Sequence, residues 1–115
     1  MADDVIEYTD FTKVDMRAGR VVEVLDFPRA RTPSYKVRVD FGAGIGERWS
    51  SVQAATDYPD PEKLVGRTVV GVVNLPPRNI AGFQSEVLLL GVPGTDGGLS
   101  LLEPSRPART GGRVY

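Results

Sequence analysis

Hydrophobic and polar residues alternate with a period of two along much of this 115-residue chain. Tyr35, Val37, Val39 and Phe41 alternate with Lys36, Arg38 and Asp40, the pattern of a strand with one buried face and one wet face. Upstream, Val14, Met16 and Ala18 alternate with Asp15 and Arg17. The pattern resumes at Val22 and Val24 around Glu23, with Gly19 and Arg20 marking a bend or bulge. Arg48 to Gln53 (RWSSVQ) reads as a shorter strand whose small polar residues imply close approach by another group. Thr68 to Leu75 is apolar on both faces, so both sides of that strand should be covered. Val87 to Val92 and Leu99 to Leu102 flank PGTDGG, in which Asp96-Gly97 is a strong hairpin signal.

Helical signals are few. Tyr58 to Gly66 (YPDPEKLVG) has Pro61 near its first turn, Glu62 early and Gly66 as a stop, so a short helix is expected there. A single turn is expected at Thr9 to Val14, capped by Thr9 or Asp10. Five strands with one helix between the third and the fourth is the order of an OB-type barrel. The expected fold is mainly all-β: a five-stranded OB-fold barrel with a C-terminal hairpin added. No repeat or internal linker divides residues 1–115, which read as one domain.

Composition narrows the chemistry. With 41% hydrophobic and 25% charged residues, a chain of this length buries a core without staples. It has no cysteine and no histidine, which removes disulfides, thiolate sites, His-ligated zinc and imidazole bases. MADDVIEY lacks a basic n-region and an apolar h-region, and no apolar run is long enough to span a membrane, so a cytoplasmic protein without membrane insertion is expected. The net charge of −1 is unevenly spread. Residues 1–15 carry Asp3, Asp4, Glu7, Asp10 and Asp15 against Lys13; residues 17–38 carry six basic residues against Glu23 and Asp26. A basic region this modest fits a solvated face, and it also fits an acidic or mixed polymer as ligand.

Catalytic patterns are weak. GAGIG (Gly42 to Gly46) leads into another strand and reads as a turn, not a phosphate loop. Asp57, Asp60 and Glu62 surround a helix start, where acids complement the dipole, so no metal site is expected. Ser50, Ser51 and Ser85 have no base at hand. Neither an enzyme nor a cofactor is expected, and what remains is surface recognition.

The segment NLPPRNIAGFQSEVLLLG (Asn74 to Gly91) is the most informative. Pro76 and Pro77 lack amide donors, so they end strand pairing and stiffen the exit from the fourth strand. That fixes where Arg78, Asn79 and Ile80 project, and Gly82 supplies freedom for the return. In OB folds this loop and the one after the first strand, here with Pro28, Arg29, Arg31 and Pro33, border the ligand face. One alternative is a loop that only closes the barrel or meets a second subunit. An exposed Ile80 and Phe83 beside Arg78 favour a binding rim for a mixed ligand, such as an unfolded polypeptide.

FPRARTPSYKVRVDFG (Phe27 to Gly42), SSVQ (Ser50 to Gln53) and Tyr58 to Val92 together resemble the tRNA-binding domain family of OB folds. Within it, NLPPR and AGFQSEVLLLGV are most similar to the CsaA branch, stand-alone homodimers described as export-related chaperones. The resemblance runs from about Asp10 into the C-terminal tail. Two departures from the tRNA-binding pattern favour that branch: FPRARTPSY replaces an HPxAxxL form, and Glu86-Val87-Leu88 follows Ser85 where a Gly and a Met are usual. The resemblance implies an ATP-independent chaperone for unfolded or export-destined polypeptides, with the secretion machinery as a further partner. A tRNA-binding module is the alternative. It also implies a homodimer joined through terminal extensions, about residues 1–12 and 99–115, with the Arg106 to Tyr115 tail packed across the partner. The expected ligand residues are Arg29, Arg31, Ser51, Gln53, Arg78, Asn79, Ile80, Phe83, Ser85 and Leu88.

Overall fold

The computed structural model describes residues 4–115. Asp3 and the first residues of the expected N-terminal extension lie outside the described residues. The architecture is a nearly closed antiparallel barrel of five strands. β1 (Met16–Asp26), β2 (Tyr35–Asp40), β3 (Glu47–Val52) and β4 (Thr68–Val72) come first, then a hairpin of β5 (Arg78–Ile80) and β6 (Phe83–Ser85). β7 (Leu88–Leu89) supplies the fifth barrel strand, and β8 (Gly91–Pro93) and β9 (Leu99–Leu101) form the C-terminal hairpin. The sheet order is β3-β2-β1-β4-β7, so β1 lies at the centre and β3 and β7 lie at the two ends.

The long β1 serves two partners. Its first half pairs with β4 (Met16 opposite Val72) and its second half with β2 (Asp26 opposite Tyr35). The expected irregularity sits slightly later than Gly19-Arg20: the register with β2 shifts between Val21 and Glu23, leaving Val22 as the extra residue. Gly19 has another purpose. A Cβ there would come within 2.5–2.7 Å of Val39 and the Phe41 ring, so only glycine admits this close packing. The core follows the alternation: Val21, Tyr35, Val37, Val39, Phe41, Val69 and Leu89 turn inward.

Several elements differ from the sequence expectation. The helix before β4 is only a 3-10 turn, Pro61–Lys63, capped by the Asp60 carboxylate, which accepts from the Glu62 N–H at 3.2 Å. Pro59 and Pro61 withhold donors, and Gly66 at φ +92° ends the turn before an α-helical ladder can form. The α-helix is N-terminal, α1 (Tyr8–Thr12), and it starts one residue before the expected turn. Its cap is Glu7, whose N–H donates to the Asp10 carboxylate at 3.0 Å while its C=O accepts from the Asp10 N–H at 2.9 Å. β4 stops at Val72, not Leu75, and Val87 to Val92 splits into β7, paired with β4, and β8, paired with β9. The Asp96-Gly97 turn closes β8–β9, with Gly97 at φ +86° and the Asp96 carboxylate accepting from the Gly98 N–H at 2.9 Å.

The C-terminal tail has partners within its own chain. Its end is bound by its own barrel: the Gly111 N–H donates to the Ala18 C=O at 2.7 Å, the Ala18 N–H to Gly112 at 2.9 Å, and the Val114 N–H to Met16 at 2.8 Å. β2 pairs only with the later part of β1, so the edge at Met16–Ala18 is open and residues 111–114 complete it. Arg17 reinforces this seam, donating to the Gly111 C=O at 3.1 Å and to both Asp15 oxygens. The Arg17 guanidinium, as hydrogen-bond donor and as charge, holds the Asp15 carboxyl below the usual carboxylate range, against a smaller effect of burial.

A candidate ligand-binding groove

β3 and β7 do not form a ladder, and the seam between them is closed mainly by side chains. The Ser50 hydroxyl donates to the Val87 C=O at 2.8 Å. The Ser51 N–H donates to the Ser85 hydroxyl oxygen at 2.9 Å, and the Trp49 N–H donates to the Glu86 carboxylate at 2.9 Å. The group approaching the small polar residues of RWSSVQ is thus the chain's own segment 85–87. Beyond Ser51 the two ends diverge, and the barrel wall opens.

That opening is a groove of about 500 Å³. Ala30, Arg31 and Thr32 of the β1–β2 loop form one wall, and Arg78 and Ile80 of β5 form the other. Ser51 to Gln53, Leu88, Leu89 and Leu99 complete it. A smaller depression of about 180 Å³ continues past Ser51, Arg78, Ile80 and Leu88 to Leu75, Pro76, Ser85 and Glu86. Leu88 lines both and is 48% exposed, although it belongs to a barrel strand. Neither Arg31 nor Arg78 has a carboxylate partner among the described residues.

The stiff loop of the sequence is a β-hairpin. Ala81 (φ +50°) and Gly82 (φ +86°) form the two-residue turn of positive-φ type that matches strand twist. Arg78 opposes Ser85, Asn79 opposes Gln84, and Ile80 opposes Phe83. Since side chains alternate along a strand, Arg78, Ile80, Phe83 and Ser85 share the face toward β3, and Asn79 and Gln84 face away. Asn79 steadies the turn instead of lining the groove, its side-chain oxygen accepting from the Gly82 N–H at 2.9 Å.

Phe83 is half-buried, not exposed. Its ring meets Phe27 edge-on at 5.4 Å and Trp49 at 6.0 Å between centroids. Lys36 lies between the two phenyl rings, its ammonium 4.9 Å from Phe27 and 5.0 Å from Phe83. Phe27 opens the β1–β2 loop and Phe83 returns the hairpin, so this cluster ties the two groove walls together. Beside it Arg38 bridges Glu23 (2.7 Å) and Glu47 and rests 5.7 Å over Trp49.

The structure therefore brings Arg31, Ser51, Gln53, Arg78, Ile80 and Leu88 to one groove and Ser85 to its continuation. Arg29 is exposed on the β1–β2 loop but lines neither cavity. Sequence reasoning missed Thr32, Val52, Leu89 and Leu99, which reach the groove only through the barrel's closure. It also missed the Phe27–Lys36 pairing, for which the aromatic in FPRAR was the available signal. Among the described residues no group of three His, Cys, Asp or Glu side chains could hold a metal ion, and no helix is long and apolar enough to cross a membrane. Asp57 and Asp60 act locally: Asp57 accepts from the Leu99 N–H at 2.8 Å and anchors the C-terminal hairpin.

A small, nearly closed five-stranded antiparallel barrel of this strand order is an OB-type fold. The family model "Putative tRNA binding domain" matches residues 16–113, and the chain belongs to that family. Over its whole length it is similar to the CsaA chaperone protein from Picrophilus torridus, 41% identical with a TM-score of 0.89, covering 96% of this chain and 100% of the other. The chaperone CsaA from Bacillus anthracis is 39% identical with a TM-score of 0.87, covering 97% and 100%. A methionine–tRNA ligase from Pyrococcus furiosus is 37% identical over 110 residues, which is 95% of this chain but 14% of the ligase. The chain thus spans only a small part of the ligases it matches.

Proposed function

We propose that the chain is a non-catalytic, ATP-independent chaperone that holds unfolded or export-destined polypeptides in the groove, as a cytoplasmic homodimer. The observation that carries this reading is the groove's chemistry: an apolar lining with half-exposed Leu88, and two rim arginines without carboxylate partners among the described residues. An unfolded segment offers apolar side chains with intermittent acids, which such a site accepts without reading sequence. The chaperone description of both full-length relatives supports the same reading. Export-destined clients would bring the protein to the secretion machinery.

The dimer is supported by apolar surface at the chain's ends. Tyr8, Phe11, Val14, Val114 and Tyr115 line a second cavity of about 490 Å³, with Tyr8 71% and Val14 41% exposed. A monomeric mass by light scattering at micromolar concentration would exclude it.

The family match favours a second reading, tRNA binding, in which Arg31 and Arg78 contact phosphates. Salt separates the two. With two phosphate contacts, tRNA affinity falls about tenfold between roughly 50 and 200 mM salt through counterion release. Affinity for a permanently unfolded client through apolar contacts changes little over that range. If the protein fails to suppress client aggregation while binding tRNA with that steep salt dependence, the chaperone reading is wrong.

A further inference from the structure

We infer that the N-terminal segment of a second copy of the chain, centred on Val5 and Ile6, caps the groove when no client is bound. This rests on the groove being the polypeptide site proposed above. The segment ahead of α1 has the chemistry of a client. Val5 is 94%, Ile6 65% and Tyr8 71% exposed, three large apolar side chains within four residues. Single exposed hydrophobics are ordinary on protein surfaces, but a contiguous run marks a contact site. Helix α1 does not explain it, because the cap needs only Glu7 and Asp10. The backbone at Glu7 is extended (φ −79°, ψ 152°), and Asp4, Glu7 and Asp10 make the stretch acidic up to Lys13.

The groove offers the complement. Leu88, Leu89, Ile80 and Leu99 would receive the apolar side chains, and Arg31 and Arg78 would face the acids. The occupant comes from another copy for a geometric reason. Within one chain Val5 and Ile6 stand exposed and line neither part of the groove. Helix α1 lines the second cavity beside Arg113–Tyr115, and none of that cavity's residues lines the groove. Two copies related by a two-fold axis can insert their segments reciprocally, which closes the assembly. So short a segment exchanges readily: it shields the apolar floor and yields to a longer client.

The test uses a fluorescent peptide of residues 1–10 and a permanently unfolded reference client. Each is titrated into the full chain and into the Val5→Ser/Ile6→Ser variant, whose altered side chains lie at the surface. The peptide is expected to bind the variant, to be displaced by the client, and to lose about tenfold or more in affinity when Leu88→Glu is added. The double variant should also bind client several-fold more tightly than the unaltered chain at high protein concentration, because self-competition is gone. If the client binds and the peptide does not, the capping inference falls and the groove reading stands. If neither binds, the groove reading itself falls. If the double variant becomes monomeric with no gain in client affinity, the segment serves subunit contact and the inference is overturned.

Discussion

Two patches lie side by side on one wall of the barrel and treat positive charge in opposite ways. On the outer face of β2 and β3, Arg38 is held by Glu23 and Glu47 over Trp49, and Lys36 stands about 5 Å from the centroids of two phenyl rings. The Glu23 hydrogen bond and then the Glu47 hydrogen bond raise the already high Arg38 pKa further. In the adjoining groove Arg31 and Arg78 meet no carboxylate among the described residues, and Leu88 stays half exposed. The residue types overlap; their pairing differs. A net charge of −1 therefore says little about the charge a ligand meets, because cations neutralised within the fold no longer attract a partner. The first patch holds the walls together, and the second is left open for something else.

The sharpest way to break this comparison is Leu88→Glu. It places a carboxylate on the groove floor at a half-exposed position, so the fold should survive. Client affinity should drop about tenfold or more, as for loss of an interface anchor. An unchanged affinity in titrations would move the site elsewhere.

Phe83→Ala attacks the other patch. It removes contacts with Phe27, Trp49 and Lys36, and for a half-buried aromatic we expect about 1–3 kcal/mol of lost stability. Urea unfolding measures this. From the sequence, Phe83 was expected with Ile80 to be exposed on the binding rim and to contact the ligand. If the variant keeps full stability but loses holding, that earlier role is correct and the clamp is not.

A smaller contrast comes from two arginines. Arg78→Ala should slow client association a few-fold and lessen its salt dependence, with the melting temperature unchanged. Arg38→Ala should do the reverse, lowering the melting temperature slightly and leaving association alone. Stopped-flow binding and thermal melts on both variants decide whether paired and unpaired arginines differ as claimed.

The smallest effect concerns acid. Because Arg17 lowers the folded-state pKa of Asp15 below the ordinary 3.8, their pairing stabilises the fold fully above that value. It is lost as pH falls through the lowered folded pKa. Asp15→Asn should melt earlier at neutral pH and lose less stability than the parent below about pH 4. Parallel melting curves for the two proteins across that range would argue against the linkage.

What the sequence determined alone was the course of the first four barrel strands and the inner face of the alternating ones. Alternation at Tyr35–Phe41 reports burial directly, because successive side chains of a strand leave it on opposite sides. The turn at Asp96-Gly97 was equally legible, since positive φ is a local demand. NLPPR–GFQSE marked a groove wall because prolines and glycine act on their own backbone. Three things needed the tertiary structure. Phe83 looks exposed in a polar loop, and only the meeting of two distant loops covers it with Phe27. The tail carries no strand pattern of its own, and only the open β1 edge at Met16–Ala18 pairs its residues 111–114 within the chain. And whether an arginine is neutralised or available is set by which carboxylates the register carries to it. Glu23 and Glu47 reach Arg38 through strand pairing across 15 and 9 residues, and no local signal in the sequence records that.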